Sequence, residues 1–200
     1  MSRELITAPA LEPVTVAEAK SHMKVEHTDD DTLIAVYIKA ARQRLETRTR
    51  RTFVTTTWKM HFDRFPKHLG VGDARRARRF IIECPPLQTV SSIKYWDTDG
   101  ALQTLSTDYY LVDAASEPGE ICQKYGYTWP ATRALANAVG VEYVAGYGDE
   151  AADVPADIRV AVLLLAAHFY EHREAVADTA MVEIPLGIQW LTDPCRMREA

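Results

Sequence analysis

Residues 52–65, TFVTTTWKMHFDRF, mark the point at which the periodicity of the sequence changes. Within this stretch the apolar residues Trp58, Met60 and Phe62 alternate with polar ones, and a repeat of two is typical of a strand with one buried face. Before Arg51 the apolar residues recur instead every three or four positions, as they do on one face of a helix. The change predicts that helix gives way to β-sheet at this point.

Two helices are predicted on the N-terminal side of this change. Thr15 and Glu18 form a capping-box pattern around VAEAK, which predicts a short helix over residues 16–23. A long helix is predicted over residues 29–50, because acidic residues open this segment and arginines close it, as the helix dipole favours. The apolar residues of the long helix lie on one stripe, which consists of Ile34, Tyr37, Ile38, Ala41 and Leu45.

Five further strands are predicted in the middle of the chain. They fall at residues 80–83, 90–96, 109–112, 119–123 and 139–145, and turn-forming residues separate them. Short strands joined by turns of this kind are typical of antiparallel pairing. We therefore predict a compact antiparallel sheet or a small sandwich between the helical ends of the chain.

Helical periodicity returns at Pro155, which suits the first turn of a helix because its missing N–H is not needed there. Apolar residues cover nearly the whole circumference from Ile158 to Ala167, so we expect this helix to be the most buried of the protein. After it, PLGIQWLTDPCRM at 185–197 predicts a short helix or an extended tail. We expect that removing the residues after Pro185 leaves the fold intact, and that Trp190 is available to anchor a partner.

The composition excludes several classes of protein. With 200 residues, of which 47% are hydrophobic and 26% charged, the chain is long and apolar enough to bury a core. A formal net charge of −5 argues against a protein that coats nucleic acid. Three distant cysteines give neither a metal knuckle nor a disulfide framework. The longest apolar run, residues 160–167, is far shorter than the ~20 residues of a membrane span, so no membrane role is predicted.

The sequence HFYEH at 168–172 matches the inverted zinc-peptidase pattern, in which two histidines bind the metal and a glutamate polarises water. His168, Glu171 and His172 are therefore candidates for a small zinc-dependent hydrolase. Such a site needs a third ligand, for which Glu174 and Glu183 are the downstream candidates, although neither lies in a recognisable motif. We favour the other interpretation, an ordinary helix end, and predict no metal, cofactor or catalytic residue.

The run RRARR, Arg75–Arg79, is the most basic stretch of the chain. Clustered guanidinium groups can contact a phosphate backbone, but no aromatic residue alternates with these arginines to stack on bases. We therefore favour a solvated or partner-pairing loop over a nucleic-acid site.

Four stretches of the sequence, taken together, resemble a known family. They are residues 13–58, 84–100 (CPPLQTVSSIKYWDTDG), 141–148 (VEYVAGYG) and 154–197. They resemble the head–tail connector proteins of long-tailed bacteriophages, also called adaptor or head-completion proteins, and their relatives in gene transfer agents. Family members carry Tyr-Glu-x-Arg-Glu where this chain has residues 170–174, often with Asn in the place of His172. The apparent zinc pattern thus arises from one substitution.

The resemblance implies an α+β fold in which helices from both ends of the chain form one bundle with a sheet inserted between them. The helical connector domain would comprise residues 1–51 and 154–200, and the inserted β domain residues 52–153. This arrangement requires that Ile34 and Leu163 share one hydrophobic core.

The resemblance also implies a structural protein rather than an enzyme. The resemblance implies that its subunits form a ring of twelve copies between the portal protein and a tail-side stopper or tail terminator protein. DNA would pass through the channel without specific binding. The protein would occupy the host cytoplasm during assembly and the neck of the finished particle. We assign portal docking to Trp190, Leu191 and Arg196. Two alternatives to the connector function remain: a small zinc-dependent hydrolase, and another tail-completion binding module of a prophage.

Overall fold

A computed structural model of the chain describes residues 2–66, 79–172 and 186–197. The chain forms two compact units. The sheet unit comprises Met1–Pro9 and Thr55–Gly146, and the helical unit comprises Ala10–Val54 and Tyr147–Ala200. Helices and antiparallel sheets are segregated in this way, so the fold class is α+β as predicted.

The helical unit contains four described α-helices. Their bounds are Val16–Met23 (α1), Asp31–Thr49 (α2), Ala156–Glu171 (α3) and Leu186–Thr192 (α4). Lys24 and Arg50 end α1 and α2 in the left-handed conformation, with φ of 57° and 56°. The backbone N–H of each of these residues is thereby turned back to a carbonyl of the last helical turn.

One hydrophobic core holds these helices together. Ile34 is fully buried in it, and Leu163 packs against it half-buried, so the two residues share one interior as predicted. Burying each large aliphatic side chain stabilises the unit by about 1.5–3 kcal/mol. The buried core residues of α2, α3 and α4 are Ile34, Ile38, Ala41, Leu45, Ile158, Ala161, Val162, Leu165, Ala166 and Ile188.

α3 is less evenly buried than its composition suggests. Ile158 and Leu165 are at most 2% exposed, whereas Val160, on the opposite side of the helix, is 43% exposed. The exposed side of α3 exists because the neighbouring helices cover one side of it more completely than the other. No helix within the described residues has the length and hydropathy needed to cross a membrane.

α1 begins with the predicted capping box. The Oγ1 atom of Thr15 accepts a hydrogen bond from the backbone N–H of Glu18 (3.1 Å), and the Glu18 carboxylate accepts one from the backbone N–H of Thr15 (2.8 Å). That backbone hydrogen bond is the main reason why the pKa of Glu18 lies below its ordinary value. Arg159 of α3 also contacts the Glu18 carboxylate and donates to the Pro13 carbonyl (3.1 Å). The cap thereby joins α1 to α3.

Replacing Thr15 with alanine is expected to lower the free energy of unfolding by about 1 kcal/mol, because the N–H of Glu18 loses its acceptor. The matched control is Thr47→Ala at an exposed position in the last turn of α2, where the hydroxyl donates to the carbonyl of Gln43. Urea unfolding followed by circular dichroism measures both variants. Equal stabilities of the two variants would contradict the capping role.

An ion network lies between α2 and the residues that flank it. Arg42 is only 5% exposed, and its guanidinium contacts Glu12 and Glu46, each at 2.6 Å. The second carboxylate oxygen of Glu46 accepts a hydrogen bond from the backbone N–H of Phe53 (2.8 Å). Burial raises the pKa of Glu46, and the adjacent Arg42 opposes that effect. The network therefore ties residues on both sides of α2 to one buried charge.

The sheet unit contains eight described strands. Their bounds are Ser2–Thr7 (β1), Thr56–Phe62 (β2), Arg79–Ile81 (β3), Leu87–Trp96 (β4), Leu102–Thr104 (β5), Tyr110–Asp113 (β6), Glu120–Gln123 (β7) and Val139–Ala145 (β8). Five of them form one sheet in the order β1-β2-β8-β4-β5, and three form a second sheet in the order β3-β7-β6. All pairs are antiparallel, as predicted.

The two sheets share a single core. On the central strand β8 alternate residues from Val139 to Ala145 are fully buried, and on β2 Met60 and Phe62 continue the same face. Phe80 of the smaller sheet meets Phe62 with ring centroids 4.6 Å apart. The alternation of apolar and polar residues at 58–62 therefore predicted the buried face of β2 correctly. Met60 and Phe62 are buried, and Trp58 is half-buried.

Two strands were not predicted from the sequence. Ser2–Thr7, predicted to belong to the helical connector domain, forms the edge strand β1 beside β2. Its six residues are all exposed, so no buried face produces an alternating pattern. The strand β5 spans only three residues and is likewise exposed. Both strands are defined by backbone pairing rather than by side-chain burial.

Candidate docking surface

The short helix α4 presents opposite faces to the core and to the solvent. Ile188 is 1% exposed and Thr192, one turn later, is fully buried. Trp190 lies two positions after Ile188, which on a helix is the opposite side, and it is 84% exposed. The Oγ1 atom of Thr192 donates to the Ile188 carbonyl (2.8 Å), which satisfies the buried hydroxyl. α4 is therefore a fixed support that holds one large aromatic side chain in solvent.

The residues after α4 are attached to the C-terminal end of α2. Arg48 pairs with Asp193 at 3.1 Å, and the backbone N–H of Met197 donates to the Thr49 carbonyl (3.0 Å). Arg51 donates to the carbonyl of Cys195. The last carbonyls of a helix lack partners within the helix, and Met197 supplies one. The segment is thus held at several points, although it is short.

The three residues assigned to portal docking differ in their surroundings. Trp190 and Arg196 are exposed on the helical unit. Leu191 is half-buried and packs against the helical core, so it supports the surface from beneath. Truncation after Pro185 would delete the buried Ile188, so the truncated protein is expected to lose stability.

The histidines of HFYEH lie together at the end of α3. The His168 and His172 rings have centroids 4.5 Å apart. The Nδ1 atom of His172 lies 3.1 Å from the His168 carbonyl oxygen, and the Tyr170 hydroxyl between them donates to Asp30 (2.7 Å). Within residues 2–66, 79–172 and 186–197, no three acidic, histidine or cysteine side chains are grouped for a metal. Glu174 and Glu183 lie outside the described residues.

The basic run is described only at its last residue. Arg75–Arg78 lie outside the described residues. Arg79 begins β3, and its guanidinium pairs with the Glu120 carboxylate on β7, both side chains being at least four-fifths buried. This arginine serves the pairing of two strands and is not presented to a phosphate backbone.

Residues 13–72 match the family model of phage gp6-like head–tail connector proteins. The match covers α1, α2 and β2, and it confirms the resemblance recognised in the sequence over this part of the chain. No curated protein sequence matches the chain.

Solved structures share the fold of the whole chain. A chain in the neck of an empty gene transfer agent (GTA) particle, computed with C6 symmetry, has a TM-score of 0.77 at 23% identity. A chain in the virion of a native GTA particle gives 0.78 at 21%, and one in the native neck computed with C12 symmetry gives 0.73 at 24%. Each comparison covers 100% of this chain and 97% of the other. At these identities the likeness concerns the fold.

Proposed function

We propose that this protein is a structural head–tail connector, or adaptor, at the neck of a phage or gene transfer agent particle. Two observations support the proposal. The fold matches chains of GTA particle necks over 100% of its length, and the N-terminal helices match the connector family. The role requires binding between proteins and no catalysis. The helical unit serves as the connector domain, and the sheet unit is the insertion.

The functional form is a ring of identical subunits. The similar neck chains come from structures computed with C6 or C12 symmetry. A ring of twelve equivalent copies is compatible with both, because a twelvefold axis contains a sixfold axis. Such a ring needs two different faces on each copy that meet head to tail and close by rotation. The negative net charge of −5 suits a conduit through which DNA passes without being held.

The exposed face of α4 is the surface that meets the portal protein. A tryptophan that is 84% exposed on a supported helix can bury most of its area in a partner, and such aromatic anchors dominate binding energy at interfaces. Arg196 adds a cation beside it. The opposite end of the ring is then left for the tail-side stopper or terminator protein.

Deletion of the gene from the producing cell tests this function. We expect DNA-filled heads and separate tails to accumulate, and expression of the wild-type protein from a plasmid to restore joined particles. A fusion tag on the restored protein should be located by electron microscopy at the neck. Normal tailed particles without the gene, or a tag located elsewhere on the particle, would rule the proposal out.

A further inference from the structure

The N-terminal strand β1 leaves an open edge on the five-stranded sheet. It pairs with β2 from Ser2, opposite His61, to Thr7, opposite Thr57. Among the described residues no strand pairs with its other side. Its backbone N–H and C=O groups on that side are available to another extended chain, which is the chemistry of strand addition.

The side chains of β1 do not protect this edge. Arg3 lies over the ring of Trp58, 4.4 Å from its centroid, and Glu4 contacts His61 at 3.2 Å. Both charges are thus engaged with the strand's own neighbour β2. The remaining large side chains, Leu5 and Ile6, are 48% and 44% exposed. Edge strands usually discourage association with exposed charges. The Glu4 side chain of β1 is 60% exposed, but it is paired with β2, and Leu5 and Ile6 add exposed apolar surface beside it.

The other end of the same sheet has matching properties. β5 pairs only with β4 among the described strands, and its sequence, LQT, carries no charge. Leu102 of β5 lies directly opposite Trp96 of β4, and the two are 54% and 39% exposed. Each end of the sheet therefore combines an unpaired backbone edge with two exposed apolar side chains.

We propose that β1 of one copy of this chain pairs with β5 of the next copy, so that the sheet continues from subunit to subunit. This inference rests on the proposed ring. The two edges are different surfaces, and a contact between different surfaces is heterologous, as a closed ring requires. A second copy supplies an extended strand of matching apolar character, and pairing satisfies the backbone groups of both edges at once.

Cysteine cross-linking in purified particles tests the pairing. Neighbouring strands lie about 4.8 Å apart, within the range that a disulfide or a short bis-maleimide spans. We expect Leu5→Cys combined with Gln103→Cys to give a ladder of covalent multimers on a denaturing gel. Each single variant, which keeps the three native cysteines, is the control and should remain without the ladder.

The outcomes separate this inference from the proposed function. Tailed particles that contain the doubly substituted protein as monomers would overturn the strand pairing while leaving the connector role in place. Cross-linked dimers without larger multimers would show a symmetric contact and would also overturn the pairing of β1 with β5. A ladder obtained only when Leu5→Cys is combined with Val112→Cys on β6 would overturn it as well, because β1 would then pair with a different strand. If the chain is absent from particle necks, the proposed function itself fails.

A charge substitution gives a second, independent readout. Ile6→Lys alters a residue that is 44% exposed, so we expect the melting temperature of the isolated protein to stay unchanged. We expect it to abolish the joining of heads to tails, because a lysine on an edge strand opposes pairing. Val36→Lys, at a 57% exposed position of α2, is the matched control and should still support joining. Normal joining with Ile6→Lys would argue against the pairing.

Discussion

Replacing Arg42 with alanine is expected to lower the free energy of unfolding by about 3–5 kcal/mol, because a buried ion pair loses one partner. Arg42 is 5% exposed and contacts Glu12 and Glu46 at 2.6 Å. After the substitution the Glu46 carboxylate stays buried and keeps only its hydrogen bond from the backbone N–H of Phe53. Chemical denaturation followed by helical circular dichroism measures the loss. The matched control is Arg44→Ala on the exposed side of α2, for which a change within about 0.5 kcal/mol is expected.

The pH dependence of this variant separates lost charge pairing from lost packing. Burial raises the pKa of Glu46 and Arg42 opposes the rise, so removal of Arg42 raises the pKa further. A carboxyl whose folded pKa exceeds its unfolded pKa favours the folded state below the unfolded value of about 4.3, and this contribution is lost as pH rises through the folded pKa. The loss of unfolding free energy caused by Arg42→Ala should therefore become smaller as the pH is lowered. If the variant loses the same free energy of unfolding at pH 4.5 as at pH 7.5, the substitution has removed packing and not charge pairing.

Replacing Trp190 with alanine is expected to weaken binding to the portal protein by about 30- to 1,000-fold, which corresponds to roughly 2–4 kcal/mol for an aromatic anchor. Because this side chain is 84% exposed, the free energy of unfolding should change by no more than about 0.5 kcal/mol. Affinity for purified portal rings and denaturation of the isolated protein give the two values.

Ile188→Ala, two residues away on the buried side of α4, is the matched control. Ile188 is 1% exposed in the helical core, so its truncation should cost about 2–5 kcal/mol of stability. The two variants should therefore show opposite patterns, one losing affinity and the other losing stability. Unchanged portal affinity of a folded Trp190→Ala protein would remove α4 from the docking surface.

The sequence predicts the helices well because their signals are local. The capping box at Thr15 fixes the start of α1, and the observed helix, Val16–Met23, has the predicted bounds. The apolar stripe of α2 identifies Ile34 and Leu45 as core residues, and both are fully buried. Arg42 was missed, although it lies four residues after Ile38 and three before Leu45, and so on the buried face. A charge at such a position signals a buried ion pair.

Other features depend on contacts between distant residues and leave no local pattern. β1 is a strand because its backbone reaches β2, more than fifty residues later in the chain, while its side chains remain exposed. Phe65 stacks on Trp129 with centroids 5.1 Å apart, and neither residue's position predicts the other. On α4 the exposure of Trp190 could be expected from the short length of the segment. The burial of Ile188 could not, since it depends on where α4 meets the helical core.

The chain leaves the helical unit after Val54 and returns to it at Tyr147, and these two points are joined directly. The backbone N–H of Tyr147 donates to the Phe53 carbonyl at 3.0 Å. The inserted residues Thr55–Gly146 therefore begin and end at adjacent points of the helical unit. Even for a flexible connection, doubling the length costs only about 0.6 kcal/mol of closure entropy, and an insertion that folds on its own core has ends fixed by that core. Evolution can accordingly enlarge, trim or exchange the inserted part while the helices that anchor it stay as they are.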